Sequence, residues 1–231
     1  MSPKGTKYEY FNANRSGNEK ILLGEGPDDM HVLKHLFRVL NAACGNDLRI
    51  LDCGGYEEVL KALGSERATP TRAAIVGAVI DADERTHASL LESIRNRIET
   101  GEDYSWSDEW PTDGLFLEPN PAMRAFGLPR FGVWCMPDNQ TEGIFEDLLN
   151  RAIPHLSQQF IEETLTTALS LKHASFTEIQ RPKATLRTYM AWQDPTWSKY
   201  GEALGAKLLN ADSLRPHFQP LIDWANCLFA K

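Results

Sequence analysis

Two carboxylates stand close together in the stretch AAIVGAVIDADER, which spans residues 73–85. Asp81 and Asp83 follow a short apolar run of the kind found in strands that are buried on both faces. Residues two apart on an extended segment point to the same side, about 6.6 Å apart along the chain, so these two side chains can converge. Carboxylates held this close repel each other unless a positive charge lies between them. Their oxygens are the hard ligands that suit Mg²⁺ or Mn²⁺ bound together with water and phosphate.

Two further acids follow other predicted strands. Glu25 comes directly after KILLG at 20–24, and Asp138 follows the strand predicted around 131–136. In a parallel α/β sheet, the carboxyl ends of the strands and the loops after them form the ligand-binding edge. The order of these acids along the chain therefore predicts that they gather with the aspartate pair at one edge of a sheet.

The elements that would position these acids alternate between strand and helix. Apolar runs and turn residues predict strands at 20–24, 48–53, 73–81, 115–119 and 131–139, and helices at 27–40, 56–64, 84–101 and 141–152. This alternation predicts an α/β fold with a mainly parallel sheet flanked by helices. From residue 153 onward the pattern is helical throughout. We therefore predict a polar N-terminal segment at 1–17, an α/β domain at 18–152 and an all-helical C-terminal extension at 153–231 that packs on it.

Composition argues against several classes of protein. The chain of 231 residues is 42% hydrophobic and 24% charged, which is ordinary for a globular protein. Its net charge of −8 argues against nucleic-acid binding through bulk positive charge, although divalent cations can offset the charge of a nuclease site. The N-terminus lacks the apolar core of a secretory signal, and no apolar run has the length of a membrane helix. We therefore expect a cytoplasmic protein without membrane contact.

A search for other chemical motifs finds none. The sequence contains no GxxxxGK[ST] phosphate loop, no GxGxxG, no HExxH and no GxSxG. The six histidines are scattered, and the four cysteines include no CxxC pair. We therefore predict free thiols in a reducing compartment, with neither a zinc site nor a redox motif.

The acids and turns together resemble the Toprim domain, which has a Glu after its first strand, a Gly-Gly turn after the second and an Asp-x-Asp motif after the third. This domain occurs in topoisomerases, primases, recombination-repair proteins and OLD-family nucleases. The stretch LLGEGPDDMHVLKHL is similar to the OLD type, in which a second acid, here Asp29, follows the first Glu four residues later. GVWCMPDNQTEGIFEDLL and KATLRTYMAW resemble a small family of uncharacterised standalone Toprim-like proteins. The resemblance implies a mainly parallel, four-stranded Toprim-like sheet.

The resemblance also implies roles for individual residues. Glu25 would be a metal ligand or the acid/base residue, Asp81 and Asp83 would bind Mg²⁺ or Mn²⁺, and Asp29 would assist at a second site. OLD-type nucleases also use later acids and a lysine beyond the core strands. The candidates for these positions are Asp138, Glu142, Glu146 and Lys183. The later motif, PDNQTEGIFED, departs from the OLD pattern, so the number of metals is left open.

Some of these residues have structural explanations as well. Asp28 and Asp29 stand at a predicted helix start, where acids cap free N–H groups. Capping is the preferred interpretation for Asp28, whereas Asp29 fits either role. Glu146 can belong to the solvated face of an amphipathic helix, and Lys183 can be an ordinary surface residue.

Three other features are expected to be structural. Gly54-Gly55 fits a strand-to-helix turn that needs positive φ. Glu84 is expected in the first turn of the helix that follows the Asp-x-Asp motif. The Trp-containing segment 102–114 is expected to be an ordered surface insertion, with stacking on nucleic-acid bases as the alternative.

The function that these residues predict is metal-dependent phosphoryl transfer, most simply the hydrolysis of DNA or RNA by a nuclease. By similarity to OLD-type systems, such a protein would act beside a partner ATPase in phage defence, and the chain could form a homodimer. The competing hypothesis is a Toprim-like subunit that binds metal or nucleotide and regulates a larger assembly without turnover. A haloacid-dehalogenase-type phosphatase would explain the Asp-x-Asp motif. It would leave Glu25 without a role, and its motif belongs on the first strand.

Overall fold

The computed structural model of the protein describes residues 7, 19–44, 47–69, 73–99, 101–206 and 208–229. Within these ranges, strands β1 to β5 span Glu19–Gly24, Leu48–Asp52, Ala73–Asp81, Leu115–Leu117 and Arg130–Met136. Helices α1 to α9 span Pro27–Val39, Tyr56–Ala68, His87–Ile98, Pro121–Phe126, Phe145–Arg151, His155–Ser170, Arg181–Ala191, Tyr200–Gly205 and Ala211–Phe229. The segment predicted at 1–17 lies outside the described residues, apart from Lys7.

The strands form one sheet in the order β2-β1-β3-β5-β4. Four of them run parallel, and β4 pairs antiparallel with β5 at one edge. The predicted α/β class with a mainly parallel sheet is therefore confirmed. The sheet has five strands, one more than the Toprim resemblance implies, because the short strand predicted at 115–119 joins the sheet as its antiparallel edge strand β4. Since β1 and β3 are parallel neighbours, their carboxyl ends meet at the same edge of the sheet.

Apolar side chains are buried in two cores that lie against the sheet. One core joins the sheet to α1 and to helices α5 to α9, which include the C-terminal helices. The other joins it to α2, α3 and part of the segment 102–114. Residues 75–80 of β3 are all buried, which explains why the sequence there is continuously apolar instead of alternating.

The last helix, α9, packs directly on a pair of glycines in the sheet. Gly77 of β3 pairs with Gly132 of β5. A Cβ atom at Gly132 would lie 2.6 Å from the Leu228 side chain, and one at Gly77 would lie 2.7 Å from the Phe229 ring. Both distances are shorter than a van der Waals contact, so only glycine permits this close packing.

Replacing Gly132 with alanine is expected to lower the free energy of unfolding by about 1–3 kcal/mol, because the added methyl group overpacks the contact with Leu228. Urea or thermal unfolding would measure the change. Ala74→Ser, at an exposed position of β3, is a matched control that should change the same quantity by less than about 0.5 kcal/mol. If Gly132→Ala is as stable as the wild type, the close packing of α9 on the sheet is wrong.

Helix α2 continues past the glycine that was predicted to end it. It runs through Gly64 to Ala68. A Cβ atom at Gly64 would lie 3.4 Å from the Arg97 carbonyl oxygen, next to the end of α3. This glycine therefore serves the close approach of two helices and does not act as a helix stop.

Helix α3 begins later than predicted. Its first residue is His87, and the Thr86 side chain accepts the Ser89 N–H at 3.3 Å as the N-cap. The expectation that Glu84 lies in the first turn is therefore wrong. Glu84 is an exposed residue of the turn that precedes the helix.

The aromatic residues of the segment 102–114 belong to the core. Tyr104 and Trp110 are only 5% and 9% exposed. The Tyr104 hydroxyl donates to the Pro129 carbonyl oxygen at 2.9 Å, and the Trp110 indole N–H donates to Asn139 Oδ1 at 3.0 Å. The prediction of a surface insertion is wrong for these two rings, and neither can stack on nucleic-acid bases without leaving the core.

All four cysteines are free thiols, as predicted, and three of them are buried. Burial raises the pKa of Cys44 to about 11 and that of Cys135 to about 12, so both stay protonated and are poor nucleophiles. Among the helices that the structure describes, none has both the length and the hydrophobicity needed to cross a membrane.

Candidate active site

Glu25 follows β1 and joins three strand ends. The N–H groups of Gly54 and Gly55, in the turn after β2, donate to its carbonyl oxygen at 2.9 and 2.7 Å. Both glycines have positive φ, 91° and 128°, which confirms the predicted strand-to-helix turn. The Glu25 side chain reaches the end of β3, where its Oε1 accepts the Asp81 N–H at 2.9 Å.

Burial raises the pKa of Glu25 from its ordinary value of 4.5 to about 7. The hydrogen bond from Asp81 N–H lowers this pKa, whereas the nearby carboxylates of Asp29 and Asp83 raise it. A carboxyl group with a pKa near neutrality can both accept and donate a proton at physiological pH.

Asp81 is the last residue of β3 and links the sheet to α5. Its Oδ1 accepts the N–H of Phe145, the first residue of that helix, at 2.9 Å. Burial raises the pKa of Asp81 well above its usual range, and the carboxylates of Glu25, Asp29 and Glu146 raise it further. Ionisation of Asp81 is thus opposed both by the low polarity of its surroundings and by neighbouring acids.

Asp29 is both a helix cap and part of the acidic cluster. It is the third residue of α1, and its Oδ2 accepts the Gly26 N–H at 2.8 Å. Capping was preferred for Asp28, but the residue that makes this bond is Asp29. Burial raises the pKa of Asp29, while the nearby charge of Lys183 lowers it.

The C-terminal helices bring Glu146 and Lys183 to the same place. Glu146 lies in α5 and is only 7% exposed, so the interpretation as a solvated face is wrong. One turn later, the Asn150 side-chain amide donates to the Pro182 carbonyl oxygen at 2.9 Å, which holds the start of α7 beside α5. Lys183 follows directly. Burial raises the pKa of Glu146, and the charge of Lys183 lowers it.

These groups line one cavity of about 440 Å³. Of the eight predicted site residues, five contribute to its wall: Glu25, Asp29, Asp81, Glu146 and Lys183. The cavity lies at the carboxyl ends of β1 and β3, closed on one side by the Gly54-Gly55 turn. The predicted convergence of acids at this edge of the sheet is therefore found for Glu25 and Asp81.

Asp83 does not line this cavity. The strand ends at Asp81, and Asp83 has a left-handed backbone with φ of 52°, so the alternation of an extended strand does not reach it. The Arg85 guanidinium donates to Asp83 Oδ2 at 2.7 Å and to the Asp81 carbonyl oxygen at 2.9 Å. Asp83 still lies near enough to Glu25 to raise its pKa.

Asp138 also lies outside the cavity wall. Its Oδ1 accepts the Thr141 N–H at 2.9 Å, and its Oδ2 lies 3.3 Å from the Arg151 guanidinium. Burial opposes the ionisation of Asp138, but these hydrogen bonds outweigh it and lower its pKa. The carboxylate therefore stabilises the loop after β5.

Two cavity residues, Arg187 and Tyr200, were missed by the sequence analysis. A signal for the first was present, because Arg187 lies four residues after Lys183 and helical spacing places both on one face. No signal in the sequence pointed to Tyr200, which comes from α8.

A larger cleft of about 790 Å³ lies between α5, α6 and α7 and includes Glu142. Three of its charged residues pair with one another: Arg181 pairs with Glu162 at 2.8 Å and with Glu178 at 2.7 Å. Mutually paired charges are the usual arrangement of a solvated surface, whereas the smaller cavity holds buried acids that repel one another. We therefore assign the candidate active site to the smaller cavity.

The donor set of the smaller cavity fits a hydrated Mg²⁺ or Mn²⁺ ion. Its acids offer only carboxylate oxygens. Burial first and the repulsion of neighbouring acids second raise their pKa values, so a positive charge bound there would favour their ionised forms. Among the described residues, no three His, Cys, Asp or Glu side chains form a ready metal cage. Mg²⁺ does not need one, because it retains several waters and uses one or two protein carboxylates.

The fold and the site together define an α/β protein with a carboxylate-lined cavity at the carboxyl end of a parallel sheet. The chain belongs to the family described as "Protein of unknown function (DUF3226)", which matches residues 19–230. A comparison with curated proteins finds no match.

Among solved structures, the chain is similar to the C-terminal region of the OLD protein from Xanthomonas campestris pv. campestris. With the structure phased with iodine, the TM-score is 0.45 at 13% identity, covering 92% of this chain and 96% of that chain. With the structure phased with platinum, it is 0.44 at 14% identity, covering 92% and 94%.

Proposed function

We propose that this protein is a Mg²⁺- or Mn²⁺-dependent nuclease that hydrolyses phosphodiester bonds in DNA or RNA. The observation that carries the proposal is the gathering of buried and half-buried acids with raised pKa values in one cavity, together with the cation of Lys183. Repelling carboxylates cost stability, and such costs are concentrated at functional sites. The resemblance of residues 22–36 to OLD-type Toprim sequences points to the same chemistry.

Each residue has a task in this proposal. Asp81 would hold the metal, with Asp29 and Glu146 as further ligands. Bound there, the metal would neutralise charge on the scissile phosphate. Glu25, with a pKa near 7, would take the proton of the attacking water or return one to the leaving oxygen. Lys183 would stabilise negative charge that develops on the phosphate.

The second candidate is a regulatory subunit that binds metal or nucleotide without turnover. One observation favours it: Glu25, Asp29 and Asp81 each already use a carboxylate oxygen to accept a backbone N–H. Such bonds hold the acids in place and leave fewer carboxylate oxygens free to bind a metal or to exchange a proton. Action beside a partner ATPase in phage defence belongs to the proposal through the sequence resemblance alone.

The proposal is tested by incubating the purified protein with single-stranded DNA, double-stranded DNA and structured RNA in the presence of Mg²⁺ or Mn²⁺. We expect cleavage that a chelator abolishes and that Asp81→Asn reduces by at least about a hundredfold, as expected when electrostatic stabilisation is removed. Asp108 is exposed and does not line the cavity, so Asp108→Asn controls for the loss of one acid. If the wild type binds metal but cuts no substrate, even with a partner ATPase, the regulatory alternative is correct.

A further inference from the structure

Two polar residues of the C-terminal helices line the acidic cavity without a role in the chemistry proposed above. Arg187 comes from α7 and Tyr200 from α8. With Lys183 they form the side of the cavity that carries hydrogen-bond donors, while the remaining charged residues are acids that accept. The cavity therefore has an acidic wall suited to a metal and a donor wall suited to an anion.

The packing of the helices holds this donor wall in place. Lys183 and Arg187 are one turn apart on α7, whose start is tied to α5 through Asn150. Helix α8 approaches α1 very closely, because a Cβ atom at Gly201 would lie 2.7 Å from the His31 Cβ. Tyr200 stands directly before this contact point, so its position next to α1 follows from the backbone packing.

The Tyr200 hydroxyl is buried beside the Arg187 guanidinium, and its own proton has no acceptor. The residue is 6% exposed, Arg187 can only donate to its oxygen, and no group among the described residues accepts the hydroxyl proton. The Arg187 guanidinium lies near enough to affect the Tyr200 pKa, which burial raises to about 12. The hydroxyl therefore keeps its proton and can act as a donor. A buried O–H group without an acceptor costs free energy, so an oxygen of a bound ligand is a natural acceptor.

The charges at the site select the kind of ligand. Five acids line the cavity against two cations, Lys183 and Arg187, so a free anion would be repelled by the acids alone. An anion that binds together with a divalent metal is attracted to the site, since the metal offsets the charge of the acids. A phosphate group can bind the metal and the donors at the same time, and the planar fork of an arginine matches two of its oxygens.

We infer that Arg187 and Tyr200 form a phosphate-binding subsite that holds the non-bridging oxygens of one phosphate in a nucleic-acid strand beside the carboxylates. This inference rests on the proposed function for its substrate class. It makes the helical extension a part of the active site, because the cation and the hydroxyl both come from residues beyond 180. Arg187 and Tyr200 bind and orient the strand, and they take no part in proton transfer.

The test measures the binding of a short, fluorescently labelled single strand by anisotropy, with Mg²⁺ present and at several salt concentrations. We expect Arg187→Ala to weaken binding roughly tenfold or more and Tyr200→Phe to weaken it several-fold, the losses typical of charged and neutral hydrogen bonds. Arg187→Ala should also flatten the slope of log K against log salt by roughly 0.7, the value for one phosphate contact on a single strand. A purely structural role would not change this slope.

Two controls keep the result interpretable. Arg215→Ala removes an exposed cation of α9 that is bonded to Gln219, and it should leave affinity and slope close to those of the wild type. Tyr200→Phe removes a single oxygen and should unfold at the wild-type temperature and bind Mg²⁺ as the wild type does. These two variants separate the loss of the subsite from misfolding and from damage to the acidic wall.

Three outcomes would overturn the inference: no strand binding by the wild type, equal affinity of wild type and Arg187→Ala, or equal losses in Arg187→Ala and Arg215→Ala. Failure of the proposed function looks different. In that case the wild type would cut nothing, yet strand binding that depends on Arg187 and Tyr200 would persist in the anisotropy measurement and the subsite would stand.

Discussion

Replacing Glu25 with glutamine is expected to lower the rate of phosphodiester cleavage by about 10²- to 10⁴-fold, the contribution of a positioned acid or base. The substitution keeps an oxygen that can accept the Asp81 N–H, so the link between β1 and β3 is preserved. It removes the ability of the Glu25 side chain to take up or release a proton. Steady-state cleavage of a labelled strand would measure the rate.

The pH profile distinguishes this role from a structural one. In the wild type, kcat/KM should show an inflection at or below about 7, because a bound cation would lower the Glu25 pKa from that value. The inflection should be absent in Glu25→Gln. Glu92→Gln, at an exposed position of α3, should leave both rate and profile unchanged. A variant at position 25 that keeps the wild-type rate would exclude Glu25 as the acid/base residue.

Replacing Asp81 with asparagine is expected to stabilise the metal-free protein at alkaline pH while it abolishes cleavage. An acid whose pKa is raised by folding contributes stability that is fully present below its unfolded pKa and is lost as pH rises through its folded pKa. For Glu25 that window runs from 4.5 to about 7, and Asp81 is shifted in the same direction. Without metal, the wild type should therefore be less stable at pH 8 than at pH 5.

The magnitude follows from the linkage between pKa and stability. The Glu25 shift from 4.5 to about 7 corresponds to about 3 kcal/mol, since one pKa unit is about 1.4 kcal/mol. Asp81→Asn removes one buried charge and relieves its repulsion of Glu25. It should raise the free energy of unfolding at pH 8 by at least about 1 kcal/mol, or about 2–4 °C in melting temperature for a chain of this size.

Thermal unfolding in chelator at both pH values would measure this effect, with Asp108→Asn as the matched exposed acid. The stabilisation should be much smaller at pH 5, where Glu25 is protonated and the raised pKa of Asp81 favours its neutral form. Adding Mg²⁺ should raise the melting temperature of the wild type and have little effect on Asp81→Asn. If Asp81→Asn is less stable than the wild type at pH 8, the carboxylate stabilises the fold and the prediction that its charge is destabilising is wrong.

The sequence predicted the part of the site that depends on parallel strands. A continuous apolar run before Asp81 and a second one before Glu25 identify neighbouring buried strands, and parallel strands bring their carboxyl ends together. The Gly54-Gly55 turn was predictable for a similar reason, because its backbone needs positive φ. These predictions succeeded because each depends on local conformation and on one general rule of sheet topology.

Other predictions failed where long-range contacts decided the outcome. Gly64 permits the approach of α3, and this packing requirement cannot be distinguished from a helix stop in the sequence alone. Trp110 lies in a polar stretch of the sequence, yet its ring is buried and its indole N–H donates to Asn139, 29 residues away. Asp83 lies outside the predicted site because the backbone is left-handed at Asp83 itself, two residues after the strand ends, where the prediction assumed an extended conformation.

The sequence by itself determined the α/β architecture and the proximity of Glu25 to Asp81. Local apolar patterns identify the strands, and parallel strands bring their carboxyl ends to the same edge of the sheet. Only the tertiary structure decided which residues complete the cavity. Glu146, Lys183, Arg187 and Tyr200 reach it through the packing of α5, α7 and α8 against one another and against α1. Asn150 and Pro182 are 32 positions apart and Gly201 and His31 are 170 positions apart, and the geometry of such contacts depends on side-chain fit that no periodicity encodes.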